Sequence, residues 1–360
     1  MKVFYDHQIF VTQKFGGISR YFYEIIKRIS NVCDVGLYQG IYINQYGLEK
    51  EPSVKCKFGL RRGDNYFLQK YGRSIDKRGI KLFSSINDFD IYHPTYYQDF
   101  RIKKGNLIVT VYDMIHELYP LEFIGDNTAE KKKNLINKAD GIIAISESTK
   151  KDLVNILGVS PEKVKVTYLA NSLKIDVSDL PVVNEPYILI VGHGSGYKNF
   201  IDFVVAYSKS IFSSDLKCIC FGGPDFNKDE ISLIKSLRLE NQIIHMRGDD
   251  VLLANLYKYA TLFVYPSKYE GFGLPPLEAM YYSTPVLCSN TSSIPEVVGD
   301  AGMYFNPDSI EDMTYKMDKF LNSPELLREY GLKGMQREKL FSWDKCATET
   351  VKVYDEFSRG

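Results

Sequence analysis

The chain has 360 residues, 44% hydrophobic and 25% charged, which suits two folded domains and excludes a disordered protein. Lys and Arg number 45, as do Asp and Glu, and this zero net charge excludes nucleic-acid binding through overall charge. No apolar run approaches the ~18 residues needed to span a bilayer, and Asp6 and His7 interrupt the amino-terminal stretch where a signal peptide would be apolar. The six cysteines show no paired metal-ligand spacing, so we expect a cytoplasmic protein without a metal site.

Short apolar runs alternate with helical stretches through the first half of the chain. The predicted strands there are Val3–Tyr5, Val35–Leu37, Ile91–Tyr92, Leu107–Val111, Gly141–Ile145 and Val164–Val166. The predicted helices include Ile18–Ile29, Thr128–Lys138 and Thr149–Leu157, and Gly158 is a suitable stop for the last of these. This alternation predicts a parallel sheet that is covered by helices on both faces.

Residues 171–186 interrupt this pattern, because they are polar, contain two prolines and show no clear period. A second alternating series then follows. Its predicted strands are Tyr187–Val191, Lys217–Phe221, Ile243–Met246, Leu262–Tyr265, Pro285–Cys288 and Met303–Phe305. Its predicted helices are Phe200–Ser210, Asp229–Leu239, Val251–Tyr259, Leu277–Tyr282 and Ile310–Leu321. We therefore expect two α/β domains, residues 1–170 and 187–342, that are joined by a linker and face each other across a cleft.

Residues 55–81 differ from the rest in charge, with nine Lys or Arg against two Asp, a local net charge of 9 − 2 = +7. Aromatic and aliphatic residues are interleaved with these cations. One interpretation is a basic flank that lies on an anionic membrane surface. The other is an ordinary solvated helix face, and the sequence leaves both open. The run Lys131–Lys133 is interpreted as a solvated helix face.

Residues 267–280 combine a glycine-bearing loop with the start of a helix. The loop follows the predicted strand Leu262–Tyr265, and Pro275 and Pro276 stand where the helix should begin, since proline fits the first helical turn. The backbone amides of residues 271–274 would then point out of the helix amino terminus. Such a terminus suits a diphosphate, because it offers N–H donors and the positive end of the helix dipole.

Two glutamates, Glu270 and Glu278, bracket this loop. A carboxylate would repel a phosphate, so we expect both to accept hydrogen bonds from hydroxyl groups on either side of it. This is the pattern for a sugar, a diphosphate and a ribose laid across the loop. The alternative is an ordinary strand–turn–helix connection in which Glu278 only complements the helix dipole.

Four further segments offer candidate residues near the ends of predicted strands. Gly192 opens a G-x-G-x-G loop, which differs from the dinucleotide fingerprint G-x-G-x-x-G, and Lys198 lies where it can meet phosphate oxygens. The paired glycines at 16–17 let a backbone approach a ligand closely. Asp113 and His116 follow Leu107–Val111, and the pair His93–Pro94 follows another strand, so they could orient an acceptor or carry protons.

The run PSKYEGFGLPPLEAM at 266–280 resembles the E-x7-E donor-site signature of family 4 glycosyltransferases, which have the GT-B fold. The supporting matches follow in chain order across nearly the whole sequence. They are Gly16-Gly17, YDMIHE at 112–117, SES at 146–148, Gly192 with Lys198-Asn199, SNTSSIPEVVG at 289–299 and FSW at 341–343.

This resemblance implies a Rossmann-like domain mainly for the acceptor, a second for a nucleotide-diphosphate sugar, and a last helix, residues 343–360, that packs back on the first domain. It implies that Glu278 holds the ribose, Glu270 the transferred sugar and Lys198 the diphosphate. The donor-binding residues that we expect are Gly16, Gly17, Gly192, His193, Lys198, Arg247, Gly271, Phe272, Gly273, Leu274 and Glu278. The catalytic residues that we expect are Glu270, Lys198, Asp113 and His116.

One position departs from the family pattern, which commonly pairs the phosphate lysine with a nearby arginine. His193 and Tyr197 occupy the corresponding positions here. Without a second cation the diphosphate leaving group loses electrostatic stabilisation. Two hypotheses could restore it: His193 is protonated when the donor binds, or Arg247 reaches the phosphates.

The resemblance implies a retaining hexosyltransferase that needs neither a metal nor a bound cofactor and uses a GDP- or UDP-linked sugar as co-substrate. The YDMIHE variant favours GDP-mannose, and the expected acceptor is a lipid-linked saccharide or a growing surface polysaccharide. We expect the protein to act in the cytoplasm, at the inner face of the membrane if residues 55–81 bind lipid, and not to bind nucleic acid. A nucleotide-sugar epimerase of the same fold and a nonenzymatic two-domain sugar-binding protein are the alternatives.

Overall fold

A computed structural model describes residues 1–54, 56–63, 66–194 and 196–358. The strands in this part of the chain are Lys2–Tyr5 (β1), Asp34–Tyr42 (β2), Cys56–Arg61 (β3), Ile91–His93 (β4), Asn106–Val111 (β5), Gly141–Ala144 (β6), Val164–Val166 (β7), Tyr187–Val191 (β8), Lys217–Phe221 (β9), Ile243–Met246 (β10), Leu262–Tyr265 (β11), Val286–Ser289 (β12) and Gly302–Phe305 (β13). Most of them carry continuous apolar runs, as strands buried on both faces require.

The α-helices of the described residues alternate with these strands. They are Gln8–Thr12 (α1), Gly17–Ile29 (α2), Tyr66–Ile86 (α3), Ile115–Leu118 (α4), Thr128–Ile136 (α5), Glu147–Leu157 (α6), Phe200–Lys209 (α7), Lys228–Ser236 (α8), Asp250–Tyr259 (α9), Leu274–Tyr281 (α10), Ile294–Val298 (α11), Ile310–Leu321 (α12), Pro324–Glu338 (α13) and Trp343–Ser358 (α14). Gly158 ends α6 in the left-handed conformation, as its position in the sequence predicts. No helix in the described part of the chain combines the length and the apolarity that crossing a bilayer requires.

The chain divides into two compact units. Unit 1 comprises Met1–Leu169 and the carboxyl-terminal segment that begins at Trp343, and unit 2 comprises Ala170–Ser342. The last helix, α14, therefore belongs to unit 1, where it packs against α2. Residues 171–186, predicted as a linker, form neither helix nor strand and belong to unit 2, where the Val182 N–H donates a hydrogen bond to the Asn255 side chain.

Unit 1 is built on a seven-stranded parallel sheet in the order β3-β2-β1-β4-β5-β6-β7. Its edge strand β3 and the long helix α3 are elements that the sequence interpretation did not assign. Both lie in the basic segment, where cations and exposed apolar residues obscure the buried run that marks an inner strand. The Phe4 ring lies at the centre of a buried cluster that includes Tyr38, Ile80 and Phe89.

Unit 2 is built on a six-stranded parallel sheet in the order β10-β9-β8-β11-β12-β13. This is the strand order of a Rossmann sheet. The strands all run parallel, but the order in which the chain adds them to the sheet changes direction between β8 and β11. The carboxyl ends of those two strands consequently open the crevice in which such sheets bind ligands. The core beneath it includes Ile188, Phe203, Leu262 and Phe305.

Candidate functional site

The loop after β11 leads into the amino terminus of α10. Gly273 is the N-cap residue, and its φ of 119° lies in a region that side chains with a Cβ rarely adopt. Prolines, which lack a backbone N–H, occupy the first turn, as predicted, and Gly273 has no side chain with which to cap this terminus. The backbone N–H groups of Gly273 and Leu274 and the positive end of the helix dipole lie at this terminus, which suits an anion.

Two serines from the segment after β12 fix the backbone of this loop. The Ser292 hydroxyl accepts a hydrogen bond from the Glu270 N–H at 2.9 Å. The buried Ser293 hydroxyl lies 2.8 Å from the carbonyl oxygen of Glu270 and 2.7 Å from that of Phe272, and it donates to them. The sequence identified residues 289–299 only as a family match. Nothing in their pattern predicts which backbone groups the two serine hydroxyls contact.

The loop after β8 lies beside the β11 loop. Gly192 has a φ of 73°, a left-handed conformation that favours glycine, and its N–H donates to the Phe221 carbonyl. A short 3-10 turn, Gly196–Lys198, follows. The Lys268 N–H donates to the Tyr197 carbonyl oxygen at 2.7 Å, so one backbone hydrogen bond joins the two loops.

This junction brings Lys198 and Glu270 together. The Lys198 Nζ lies 2.8 Å from Glu270 Oε1, and the two side chains are 24% and 11% exposed. The rings of Tyr197 and Tyr265 also lie within about 6 Å of the ammonium group. The sequence interpretation assigned Lys198 and Glu270 to the same ligand. The fold brings these two side chains into contact, although they are 72 residues apart in sequence.

Glu278 is oriented by a residue that the sequence interpretation missed. Its Oε2 accepts a hydrogen bond from the Tyr257 hydroxyl at 3.0 Å. Burial raises the pKa of Tyr257, and the nearby Glu278 charge raises it further, so this phenol stays protonated as a donor. Tyr257 lies on α9, a separate helix, and no spacing in the sequence relates it to Glu278.

His193 follows Gly192 but lies under the loop, only 4% exposed. Its ring packs against those of Phe200, Phe226 and His245 at centroid distances of 5.1, 4.9 and 5.0 Å. Burial and, to a smaller extent, the neighbouring His245 together lower the pKa of His193 to about 4. The side chain is consequently neutral near pH 7, which argues against the hypothesis that it supplies the second cation.

Arg247, the other candidate for that cation, follows β10 and is about half exposed. Its Nη2 donates to the Gly223 carbonyl at 3.2 Å and lies 3.3 Å from Asp225 Oδ1. Because β9 separates β10 from β8 in the sheet, the start of this side chain is about 10 Å from the β8 loop, at ~4.8 Å per strand. Arg247 and Lys198 both follow the carboxyl ends of strands in this sheet, but the Arg247 guanidinium contacts Gly223 and Asp225.

The predicted glycine pair lies in unit 1, at the start of α2. A Cβ at Gly16 would collide with the Gln13 side chain, whose Oε1 accepts a hydrogen bond from the Ser19 N–H in the first helical turn. Gly16 is therefore needed for the capping of α2. No described atom lies within 4 Å of the position that a Cβ at Gly17 would occupy, so its backbone is open on that side.

Asp113 and His116 also lie in unit 1, after β5. The Asp113 Oδ1 accepts a hydrogen bond from the Ile115 N–H at 3.1 Å. The His116 ring packs against that of Phe123 at a centroid distance of 4.2 Å, and its Nε2 lies 3.8 Å from Asp126 Oδ2. This segment is a compact turn in which each of the two side chains already has a position fixed by neighbouring residues.

Lys132 anchors that turn, which corrects the interpretation of Lys131–Lys133 as a solvated face. Its side chain is 1% exposed, and its Nζ donates to the Asp113 carbonyl and to Glu117 Oε2, each at 2.8 Å. Charge runs are usually solvated, but here α5 turns the middle lysine towards the turn and leaves Lys131 and Lys133 exposed. Sequence alone does not distinguish these three neighbours.

His93, at the end of β4, is a structural residue of unit 1. It is fully buried, and its ring nitrogens lie 2.6 Å from the Tyr354 hydroxyl and 2.8 Å from the Thr110 hydroxyl. Burial lowers the pKa of His93 to about 3, so it stays neutral. It joins β4, β5 and α14, and a role in proton transfer is not supported.

Comparisons with known proteins cover the whole chain. The family model "Glycosyltransferase Family 4" matches residues 15–170, and the model "Glycosyl transferases group 1" matches residues 174–337. The O-antigen chain mannosyltransferase B of Escherichia coli is 26% identical over 365 residues, which cover 94% of this chain and 95% of that protein. MMP alpha-(1->4)-mannosyltransferase of Mycolicibacterium hassiacum is 28% identical over 232 residues, which cover 63% of this chain and 56% of that protein.

A solved structure extends the likeness to the fold. The crystal structure of Anabaena HepE in complex with UDP and glucose has a TM-score of 0.75 and 16% identity, and the match covers 99% of this chain and 100% of that one. The prediction of two parallel-sheet, Rossmann-like domains of the GT-B type is thereby confirmed.

Proposed function

The chain belongs to glycosyltransferase family 4, and from this membership we propose that it transfers mannose, with retention of configuration and without a metal ion, from a nucleotide-diphosphate sugar. We propose a lipid-linked saccharide or a growing polysaccharide as the acceptor. The arrangement that carries the proposal is the convergence of Lys198, Glu270 and the amino terminus of α10 at the point where the strand order of the unit 2 sheet changes direction.

Each of these groups fits one part of such a donor. The N–H groups at the start of α10 would bind the diphosphate, with the ammonium of Lys198 beside them. Donor binding would exchange the Lys198–Glu270 ion pair for a contact between lysine and phosphate, which would leave the Glu270 carboxylate for the hydroxyls of the sugar. Glu278, held by Tyr257, would accept hydrogen bonds from the ribose.

The transfer itself needs stabilisation of the leaving group more than a protein nucleophile. The bond between the sugar C1 and the phosphate oxygen breaks and its electron pair passes to the diphosphate. The acceptor oxygen then bonds to C1, and the proton of the acceptor hydroxyl passes to a phosphate oxygen. Because His193 is neutral, Lys198 and the dipole of α10 would carry most of the stabilisation of the developing charge.

The acceptor is assigned to unit 1, where Asp113 and His116 are the candidate contacts. The closely packed turn held by Lys132 gives Asp113 a fixed position, as a group that orients an acceptor hydroxyl requires. An acceptor with a lipid tail would require the enzyme to work at a membrane surface, and we propose its cytoplasmic face. GDP-mannose is the favoured donor, since two relatives are named as mannosyltransferases.

Nucleotide binding tests the proposal directly. We expect isothermal titration to show that GDP or UDP binds the full chain and that Glu278→Ala weakens this binding at least tenfold, about 1.4 kcal/mol. Glu311→Ala, on the exposed start of α12, is the matched control and should leave binding unchanged. Absence of binding by every nucleoside diphosphate would contradict the proposed function.

Product analysis separates the two alternative functions. A transferase should release nucleoside diphosphate from GDP-mannose only when a saccharide acceptor is added. Conversion of a nucleotide sugar without an acceptor would indicate an epimerase, and binding without any turnover would indicate a sugar-binding protein.

A further inference from the structure

The long helix α3 of unit 1 presents three distinct faces. At 100° per residue, Gly72, Asp76, Ile80 and Ser84 share one face, and all four are buried. Asp76 fixes that face to the sheet, because its Oδ1 accepts hydrogen bonds from the Ile41 N–H at 3.0 Å and the Tyr38 hydroxyl at 3.3 Å. The remaining two faces of the helix consequently point away from the core.

One of these outward faces is apolar, and we call it the apolar stripe. It consists of Phe67, Tyr71, Ile75, Leu82 and Ile86, whose exposed fractions range from 38% to 71%. Four of its members line one continuous depression with Arg78. The stripe extends towards the sheet edge, because Phe58 of β3, itself 52% exposed, stacks on Tyr38 at 5.3 Å. An apolar surface of this extent is unusual for a surface that meets only water.

The other outward face is cationic, and we call it the basic stripe. It consists of Lys70, Arg73, Lys77 and Lys81 at helical spacings, and all four are exposed. The ion pairs of the described residues of unit 1 involve none of these cations. Because residues 55–81 carry a net charge of +7 in a chain of zero net charge, this surface is a local concentration of positive charge.

We propose that α3 and the edge strand β3 form a surface that docks on an anionic lipid bilayer, with the apolar stripe inserted at the headgroup level and the basic stripe against the lipid phosphates. A bilayer surface satisfies both features, since apolar side chains enter the interface while cations meet the anionic headgroups. This inference deepens the proposed function, since it names the surface that would hold the enzyme at the membrane, and it does not depend on which nucleotide sugar the enzyme uses.

Two other occupants fit the surface less well. A second copy of the chain, packed symmetrically through the same face, would bring two basic stripes together, which like charges oppose. The backbone phosphates of a nucleic acid could pair with the cations of the basic stripe. They offer no apolar surface, so the apolar stripe would stay exposed to water. The pairing of both stripes on one helix is what selects a lipid surface.

Vesicle flotation tests the proposal on the full chain. We expect the protein to float with vesicles of equal parts phosphatidylcholine and phosphatidylglycerol, to bind pure phosphatidylcholine far more weakly, and to be released by salt. Lys70→Gln/Lys77→Gln/Lys81→Gln should weaken binding on the order of 100-fold, at about fivefold per cation. Phe67→Ser/Leu82→Ser should weaken it on the order of tenfold through lost apolar insertion.

Matched control variants show whether the loss of binding is specific to the α3 surface or follows from removing any exposed lysines or leucines. Lys228→Gln/Lys235→Gln/Lys339→Gln removes three exposed cations of unit 2, and Leu332→Ser/Leu340→Ser removes two exposed leucines there. Both should bind the anionic vesicles like the unaltered protein. All variants should retain nucleotide affinity, which shows that they are folded and keeps this test independent of the donor proposal.

The proposal would be overturned if the protein did not float with anionic vesicles, or if the stripe variants bound as well as the controls. It would also be overturned if sedimentation showed a dimer that Phe67→Ser/Leu82→Ser dissociates, because the occupant would then be a second copy. Loss of lipid binding with intact nucleotide binding would leave the transferase proposal unaffected.

Discussion

Lys198 is the residue whose position the proposed chemistry depends on most, since its ammonium pairs with Glu270, three residues before the N-cap of α10. We expect Lys198→Met to lower kcat at least 100-fold, because removal of one preorganised charge from a leaving-group site costs about 3 kcal/mol. Steady-state rates with a saturating donor measure this loss, and Lys198→Arg should recover part of the rate.

Lys209→Met is the matched control for that variant. Lys209 forms an exposed pair with Glu311 at 3.3 Å, and such surface pairs contribute less than about 1 kcal/mol. Its turnover should equal that of the unaltered enzyme. Equal rates for Lys198→Met and Lys209→Met would show that the leaving group is stabilised elsewhere.

The lowered pKa of His193 should make the stability of the protein depend on pH. Its folded pKa of about 4 lies below the ordinary value of 6.5, so the unfolded chain binds more protons between these values. The contribution of neutral His193 to the free energy of unfolding is therefore present above pH 6.5 and is lost as the pH falls towards 4. We expect His193→Phe to lose less stability than the unaltered protein between pH 7 and pH 4.5 in urea unfolding. Parallel pH profiles would contradict this assignment.

Substitution of the buried Lys132 should lower the stability of unit 1. Lys132→Met would leave the Glu117 carboxylate, 9% exposed, without its ammonium partner, and breaking a buried pair costs on the order of 3 kcal/mol. Lys133→Met, one position along the same helix and exposed, should change the free energy of unfolding by less than about 0.5 kcal/mol. Recovery in Lys132→Met/Glu117→Gln would locate the effect in the pair, and equal stability of both single variants would refute it.

At the scale of elements, the start of α10 depends on one glycine. We expect Gly273→Ala to strain the N-cap by about 1–3 kcal/mol and to shift the N–H groups that bind the anion. Nucleotide affinity in titration calorimetry should fall about tenfold, 1.4 kcal/mol. Gly125→Ala is the control, because Gly125 also has a positive φ, 85°, in a loop of unit 1. It should keep its nucleotide affinity, and an equal loss in both variants would mean that the effect is general instability.

Sequence patterns predicted elements well where burial is uniform. The strands Tyr187–Val191 and Leu262–Tyr265 have the bounds that their apolar runs predict, because a strand covered on both faces must be apolar throughout. Strand β3 and helix α3 were missed for the opposite reason. The described side chains of β3 are exposed and α3 is buried along one face only, and the exposed positions mix cations with aromatic residues, so neither element shows a simple period.

At the scale of the whole molecule, unit 2 contains its own sheet, its own core and all the predicted donor-binding residues except Gly16 and Gly17. We expect the fragment Ala170–Ser342 to fold and to bind GDP or UDP with an affinity close to that of the full chain. Thermal denaturation should show a higher Tm with nucleotide, because a ligand that binds only the folded state stabilises it. A folded fragment without nucleotide affinity would assign part of that site to unit 1.

The sequence by itself determined the fold class, the family and the loops in which we propose that the donor binds, because these depend on local runs, on glycine and proline positions and on short spacings. Only the tertiary structure decided what individual side chains do. It paired Lys198 with Glu270 and Glu278 with Tyr257, buried His193 in its neutral form and turned Lys132 inward. The reason is physical: burial and charge partners are set by distant segments that the fold brings together, and no local pattern records them.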